Sequence, residues 1–130
     1  MAASLLLKLI ARITAFNIRN WSLRPIQTQE KQFKYLINSA KKTSFGTDHN
    51  FQKISSYKDF VNNVPVREYE GIRPYIERVK NGERNILWPG RPIYFALTSG
   101  TTSGSKYIPI TKESLKNHLN GAKNAILNYV

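Results

Sequence analysis

The chain has 130 residues, of which 41% are hydrophobic, a normal size and apolar content for one small folded domain. It contains no cysteine, which excludes disulfides, thiolate catalysis and cysteine-ligated zinc, and its two histidines, His49 and His118, are too far apart in sequence for metal-ligand spacing. The net charge of +12 favours polyanionic partners: nucleic acid, anionic lipid or a nucleotide phosphate. It is equally what one half of a charge distribution would show if its acidic counterpart lay elsewhere.

The first segment, Ala2 to Trp21, places Leu6, Leu9, Ile10, Ile13 and Phe16 on one helical stripe, with Lys8, Arg12 and Arg19 off it and no acid before Glu30. Two readings fit: an Arg-containing transit or surface-binding helix, or a docking helix whose stripe packs on the rest of the protein. The docking reading is preferred, because amphipathic helices usually face a core. No stretch approaches the roughly 20 apolar residues needed to span a bilayer.

Pro25 suits the first turn of a second helix, whose buried stripe is predicted as Phe33, Leu36, Ile37 and Ala40, with Lys41 and Lys42 in its last turn. Thr43–Asn50 is polar, contains Gly46, and reads as a loop. Ser55 or Ser56 caps a short helix carrying Tyr57, Phe60 and Val61, and Pro65 ends it. A further helix spans about Tyr69 to Lys80, with Ile72, Ile76 and Val79 on one side, Pro74 in its first turn and Asn81-Gly82 as the stop. Glu68, Glu70 and Glu77 read as solvated positions. Trp88 and Tyr94 read as core aromatics, and His118 as a surface or packing residue.

The pattern then changes. Ile93–Thr98 is β-branched and aromatic and predicts a strand. Tyr107–Ile110 predicts a second, which Pro109 restricts to an edge or a strand end. Thr111 caps a last helix with Leu115, Leu119, Ala122 and Ile126 on one face. That helix runs to Val130 with no completed cap. One hairpin among many helices also leaves sheet edges unpaired, so the expectation is an incomplete, mostly helical portion of an α/β protein.

Chemistry concentrates between the two strands. Every residue from Thr98 to Ser105 is Thr, Ser or Gly, and Lys106 closes the run. Gly100 and Gly104 permit positive φ and close approach of the backbone to a ligand. Successive amides in such a turn form an anion-binding nest, to which Thr98, Ser99, Thr101 and Thr102 add hydroxyls. From Arg84 to Lys112 there is no acid, while Arg84, Arg91, Lys106 and Lys112 are basic. The stretch is not a Walker A loop, because Ser105 precedes the lysine and Tyr107 follows it. The bland alternative is a Gly/Ser linker. Strand-like runs at both ends and the closing lysine argue against it.

The run TSGTTSGSK resembles the phosphate-loop signature of adenylate-forming enzymes, whose common form ends Thr-Gly-x-Pro-Lys. Here Ser103 is inserted before Gly104 and no proline precedes Lys106. With YIPIT after the lysine and DFVNNVPVREYEGIRPYIERVKNGERNILWPGRP before it, the chain resembles the N-terminal segment of the auxin-responsive Gretchen Hagen family of acyl acid amido synthetases. The likeness is strong over Ser56–Thr111 and loose over the first 50 residues.

The resemblance implies a helical start to a large adenylate-forming domain, followed by a β-hairpin carrying the phosphate loop and another helix. It implies ATP and Mg²⁺, a carboxylic acid and an amino acid as substrates, an acyl-adenylate intermediate, and a cytoplasmic ligase. Thr98, Ser99, Gly100, Thr101, Thr102 and Ser103 would contact the ATP phosphates, Gly104 would permit the turn, and Lys106 would add charge where the loop departs from the common form. No general acid or base is assigned. The adenine, ribose and acyl-pocket motifs would lie downstream, so residues 1–130 would form an incomplete portion, inactive without the C-terminal part of the same enzyme. A basic module gripping nucleic acid or anionic membrane is the rival reading, and a nucleotide-binding domain without chemistry is a third.

Overall fold

The computed structural model describes residues 2–98 and 104–127. In chain order it contains α1 (Ala2–Ser22), α2 (Pro25–Ala40), α3 (Ser44–Asp48), a 3₁₀ turn (Phe51–Lys53), α4 (Tyr57–Asn63), α5 (Tyr69–Lys80), β1 (Tyr94–Thr98), β2 (Lys106–Ile110) and α6 (Lys112–Leu127). Among the described residues the only sheet is the antiparallel pair β1–β2. The chain divides into two units, one of residues 33–112 and the other of the described residues of 1–32 and 113–130.

In the 33–112 unit the core is Ile37, Ala40, Phe51 and Ile54, flanked by Phe33, Phe45, Phe60, Val64 and Trp88. Phe33 meets Phe60 edge-on at 5.8 Å, and Phe45 meets Phe51 edge-on at 5.9 Å, the geometry that ring quadrupoles prefer. Each large apolar side chain so buried contributes about 1.5–3 kcal/mol. Leu36, predicted for the buried stripe, is instead exposed. Tyr94 is also exposed, whereas Trp88 packs on the core as expected.

The polar stretch 43–50, expected as a loop, holds α3. Three features override its composition. Thr43, only 1% exposed, caps the helix: its hydroxyl accepts from Gly46 N at 3.0 Å and donates to Ala40 O at 2.7 Å. The first-turn amides of Ser44 and Phe45, which have no partner within the helix, donate to the carbonyls of Asn85 and Ile86 at 2.8 and 2.9 Å. Gly46 lies so close to the end of α2 that a Cβ on it would stand 2.1 Å from Ala40 O. Ile86, 2% exposed, is held in place by this pairing.

His49 follows α3 and is buried. Its ring stacks on Phe45 at 4.1 Å, and its Nδ1 lies 2.8 Å from Phe45 O. A carbonyl only accepts, so the ring proton sits on Nδ1. Nε2 then accepts from Arg67 Nη2 at 2.6 Å.

Ser56 begins α4 through a reciprocal capping box. Its hydroxyl accepts from Asp59 N, and the Asp59 carboxylate accepts from the Ser56 amide. The same carboxylate accepts from the Ser55 hydroxyl and amide at 2.8 and 3.0 Å. These bonds, the Ser55 hydroxyl's first, favour the ionised form and lower the Asp59 pKa to about 2.

Helix α5 has the predicted bounds, but Pro74 is its sixth residue rather than part of its first turn. The helix therefore forgoes the Pro74-to-Glu70 backbone bond and keeps the rest of its turn through packing of Ile76 and Val79. At its end Gly82, at φ +85°, donates to Val79 O, and Glu83 donates to Arg78 O. This is the left-handed closure that the Asn81-Gly82 pair predicts.

In the other unit the predicted helices form, but their predicted faces are open. Leu6, Leu9, Ile13 and Phe16 of α1 are 60, 55, 54 and 64% exposed, and Leu119 and Ile126 of α6 are 62 and 67% exposed. Ala11 and Leu127 are the buried residues of these helices instead. The helix face expected to dock is thus uncovered among the described residues. No described helix is long and apolar enough to cross a membrane.

Candidate phosphate-loop site

The hairpin pairs Tyr94 with Ile110 and continues through Leu97–Tyr107 to Thr98–Lys106. Thr98 and Lys106 therefore close the two strands face to face, and of the seven residues between them Gly104 and Ser105 are described. Ser99, Gly100, Thr101, Thr102 and Ser103 lie outside the described residues. Pro109 stands opposite Phe95 in a two-stranded sheet, where every strand is an edge.

Gly104 has φ +79°, and nothing lies within 4 Å of where its Cβ would be. Conformation alone, not crowding, asks for glycine there. Lys106 is half-buried, with Nζ 5.8 Å from the centre of the Tyr69 ring. Tyr107 N donates to Tyr69 Oη at 2.9 Å, and Lys80 Nζ sits 4.1 Å over the Tyr107 ring. Tyr69 and Lys80 belong to α5, so that helix supports the closing limb of the loop.

Between α5 and Gly104–Ser105 is a cleft of about 160 Å³, lined also by Tyr69, Arg73, Lys80 and Tyr107. The sequence around the loop carries no acid, yet the fold brings Glu70 and Glu77 to this cleft. Each is engaged by a cation: Glu70 by Arg73 at 3.0 Å and Glu77 by Lys80 at 2.9 Å. The Glu70 bond comes first among the causes that raise the Arg73 pKa above the ordinary guanidinium value. These exposed pairs reduce the repulsion an incoming anion would meet, while solvent keeps each weak.

Of the other cations near the loop in sequence, Arg91 lines a separate small cleft with Ile86, Trp88 and Pro109. Arg84 and Lys112 are exposed. His118 is exposed on α6, as predicted. Among the described residues no group of three or more His, Cys, Asp or Glu could hold a metal ion. The described part of the site suits an anion: a left-handed glycine, a half-buried lysine and a hydroxyl strand end converge at one hairpin mouth. Any Mg²⁺ would fit here as the companion of a bound phosphate chain rather than as an ion held by these side chains.

Tyr69, Lys80 and Tyr107 are the contacts that sequence reasoning missed. Tyr69 precedes Tyr107 by 38 residues, and no periodicity links the start of a helix to a distant strand.

The model of the GH3 family N-terminal domain matches residues 15–130. Indole-3-acetic acid-amido synthetase GH3.15 of Arabidopsis thaliana is 48% identical over 64 residues, 48% of this chain and 11% of the relative. Indole-3-acetic acid-amido synthetase GH3.5 of the same plant is 31% identical over 113 residues, 84% of this chain and 17% of the relative. The 4-substituted benzoates-glutamate ligase GH3.12, also from Arabidopsis thaliana, is 43% identical over 60 residues, 45% of this chain and 10% of the relative. The matched region is thus under a fifth of each relative's length.

Proposed function

This chain belongs to the GH3 family, by its N-terminal domain, and from that premise we propose that it supplies the triphosphate-holding segment of an ATP-dependent acyl acid amido synthetase. The observation that carries the reading is the hairpin. Its strands bring Thr98 and Lys106 together at the ends of a run of hydroxyl and glycine residues. The amides and hydroxyls of Thr98, Ser99, Gly100, Thr101, Thr102 and Ser103 hold the ATP phosphates. Gly104 makes the turn, and Lys106 adds positive charge.

In the complete reaction a carboxylate oxygen attacks the α-phosphorus of ATP. The bond to the β-phosphate oxygen breaks and pyrophosphate leaves with its electron pair. The amine of an amino acid then attacks the activated carbonyl, loses a proton to solvent, and expels AMP. The loop's part is to hold the departing phosphates in place and offset their growing charge. Mg²⁺ supplies further charge neutralisation on the phosphates when bound. The acid we propose is one whose carboxyl group is attached to an aromatic ring directly or through one carbon, the feature shared by the acids in the relatives' names.

The test is amide-resolved NMR of the 130-residue chain titrated with MgATP. Saturable shifts confined to residues 98–107, lost in Thr101→Ala and Thr102→Ala, are the expected result. Shifts spread over α1 and the other basic surfaces, collapsing steeply with salt and indifferent to the two substitutions, would instead support a basic polyanion-binding module.

A further inference from the structure

A two-stranded hairpin has little independent stability, so something else must fix where the phosphate loop points. The structure places that support on α5. Tyr107 faces Leu97 in the register, but its amide donates outward, to Tyr69 Oη at 2.9 Å. Antiparallel pairs alternate between residues bonded to the partner strand and residues whose amides face away. Tyr69 captures one of the latter, immediately after the loop closes. Because its hydroxyl accepts this bond, it keeps its own proton for donation.

Two ring–cation pairs flank the bond and mirror each other. Helix α5 contributes Tyr69 to Lys106, at 5.8 Å, and Lys80 to Tyr107, at 4.1 Å. The strand contributes the reverse pairing, a lysine followed by a tyrosine. Both distances lie within the range of cation–π attraction. The ring of Tyr69 therefore sits beside the lysine that closes the loop, and its hydroxyl holds the next residue's backbone. The cleft beneath Gly104 and Ser105 is lined by Tyr69, Lys80 and Tyr107 of these groups.

We infer that Tyr69 is a positioning residue for triphosphate binding: by clamping the Tyr107 amide it sets the direction of the loop's closing limb and of Lys106. The inference rests on the proposed function. It assigns to Tyr69, the first residue of α5 and some 30 residues upstream of the loop, control over affinity for the phosphate chain.

The test uses the 130-residue chain, with MgATP and inorganic pyrophosphate as separate probes. Tyr69→Phe keeps the ring beside Lys106 and removes only the hydroxyl. One lost hydrogen bond predicts roughly fivefold weaker binding of both probes. The Tyr107 amide should exchange faster, while the amides of Ile76 and Val79 keep their protection. A merely structural role would move all three amides together. Binding by Tyr69→Phe equal to wild type overturns the inference and leaves the proposed function standing. If the wild-type chain binds neither probe, the reading of the loop falls and the inference with it. Should Tyr69→Phe fail to fold, the wild-type chain supplies the test through linkage: saturating pyrophosphate should slow exchange of the Tyr107 amide severalfold while Ile76 and Val79 stay unchanged. Tyr107 exchange indifferent to bound pyrophosphate overturns the inference.

Discussion

Replacing Thr43 by valine keeps the volume of the side chain and deletes one oxygen, which makes it a sharp probe of how α3 forms in a polar, glycine-containing stretch. The hydroxyl accepts from Gly46 N at 3.0 Å and donates to Ala40 O at 2.7 Å, with only 1% of the residue exposed. Ala40 O keeps a second donor, Thr43 N at 2.9 Å, so the substitution does not orphan it. Gly46 N loses its partner in a buried position. Loss of the cap costs about 1 kcal/mol, and a buried amide left without a partner about 1–3 kcal/mol. These overlap, so the expected loss is about 2–3 kcal/mol. For a unit of this size that lowers the melting temperature by roughly 10–20 °C. Thr43→Ser keeps the oxygen and drops a methyl group, and should cost only about 1 kcal/mol. The assay is urea unfolding followed by Trp88 fluorescence, with Trp21 replaced by phenylalanine so that a single indole reports. Should Thr43→Val match wild type, or prove more stable than Thr43→Ser, the hydroxyl is not what builds α3.

Gly46→Ala should cost about 3 kcal/mol or more, because the new Cβ meets backbone atoms that cannot swing away, Ala40 O at 2.1 Å and Ala40 C at 2.9 Å; circular dichroism melts compare it with wild type. Asp59 titrates at about 2 in the folded chain against 3.8 ordinarily, so its capping bonds stabilise the fold fully above about 4, and that contribution is lost as the pH falls toward 2. Asp59→Asn should flatten this part of the stability–pH curve, which urea midpoints measured at steps between pH 5 and 2 would reveal.

The sequence made α5 legible because both of its ends carry local signals: a run of spaced apolar residues begins it, and Asn81-Gly82 closes it through a left-handed glycine. The hairpin was legible for a similar reason, since a β-branched and aromatic run before the loop and a shorter apolar one after it mark two strands, although their register came only from the fold. Helix α3 was not. Its stability comes from partners distant in sequence, the carbonyls of Asn85 and Ile86, and from a close approach to the end of α2 that only glycine survives. The apolar stripes of α1 and α6 were read correctly as stripes, but periodicity says only which residues share a face, not what covers it. At the candidate site the loop was visible in composition. Its support by Tyr69 and Lys80, and the arrival of Glu70 and Glu77, depend on tertiary placement that no local pattern encodes.

The setting of His49 narrows the acid–base repertoire of this chain. One ring nitrogen gives its proton to a main-chain oxygen and the other receives one from a guanidinium, so the imidazole has no lone pair for a metal and no free site from which to relay protons. Of the two histidines that leaves His118, out on α6 and open to water, as the imidazole that a chemical reagent or a passing ion can reach. Imidazole chemistry is thus withdrawn from the 33–112 unit.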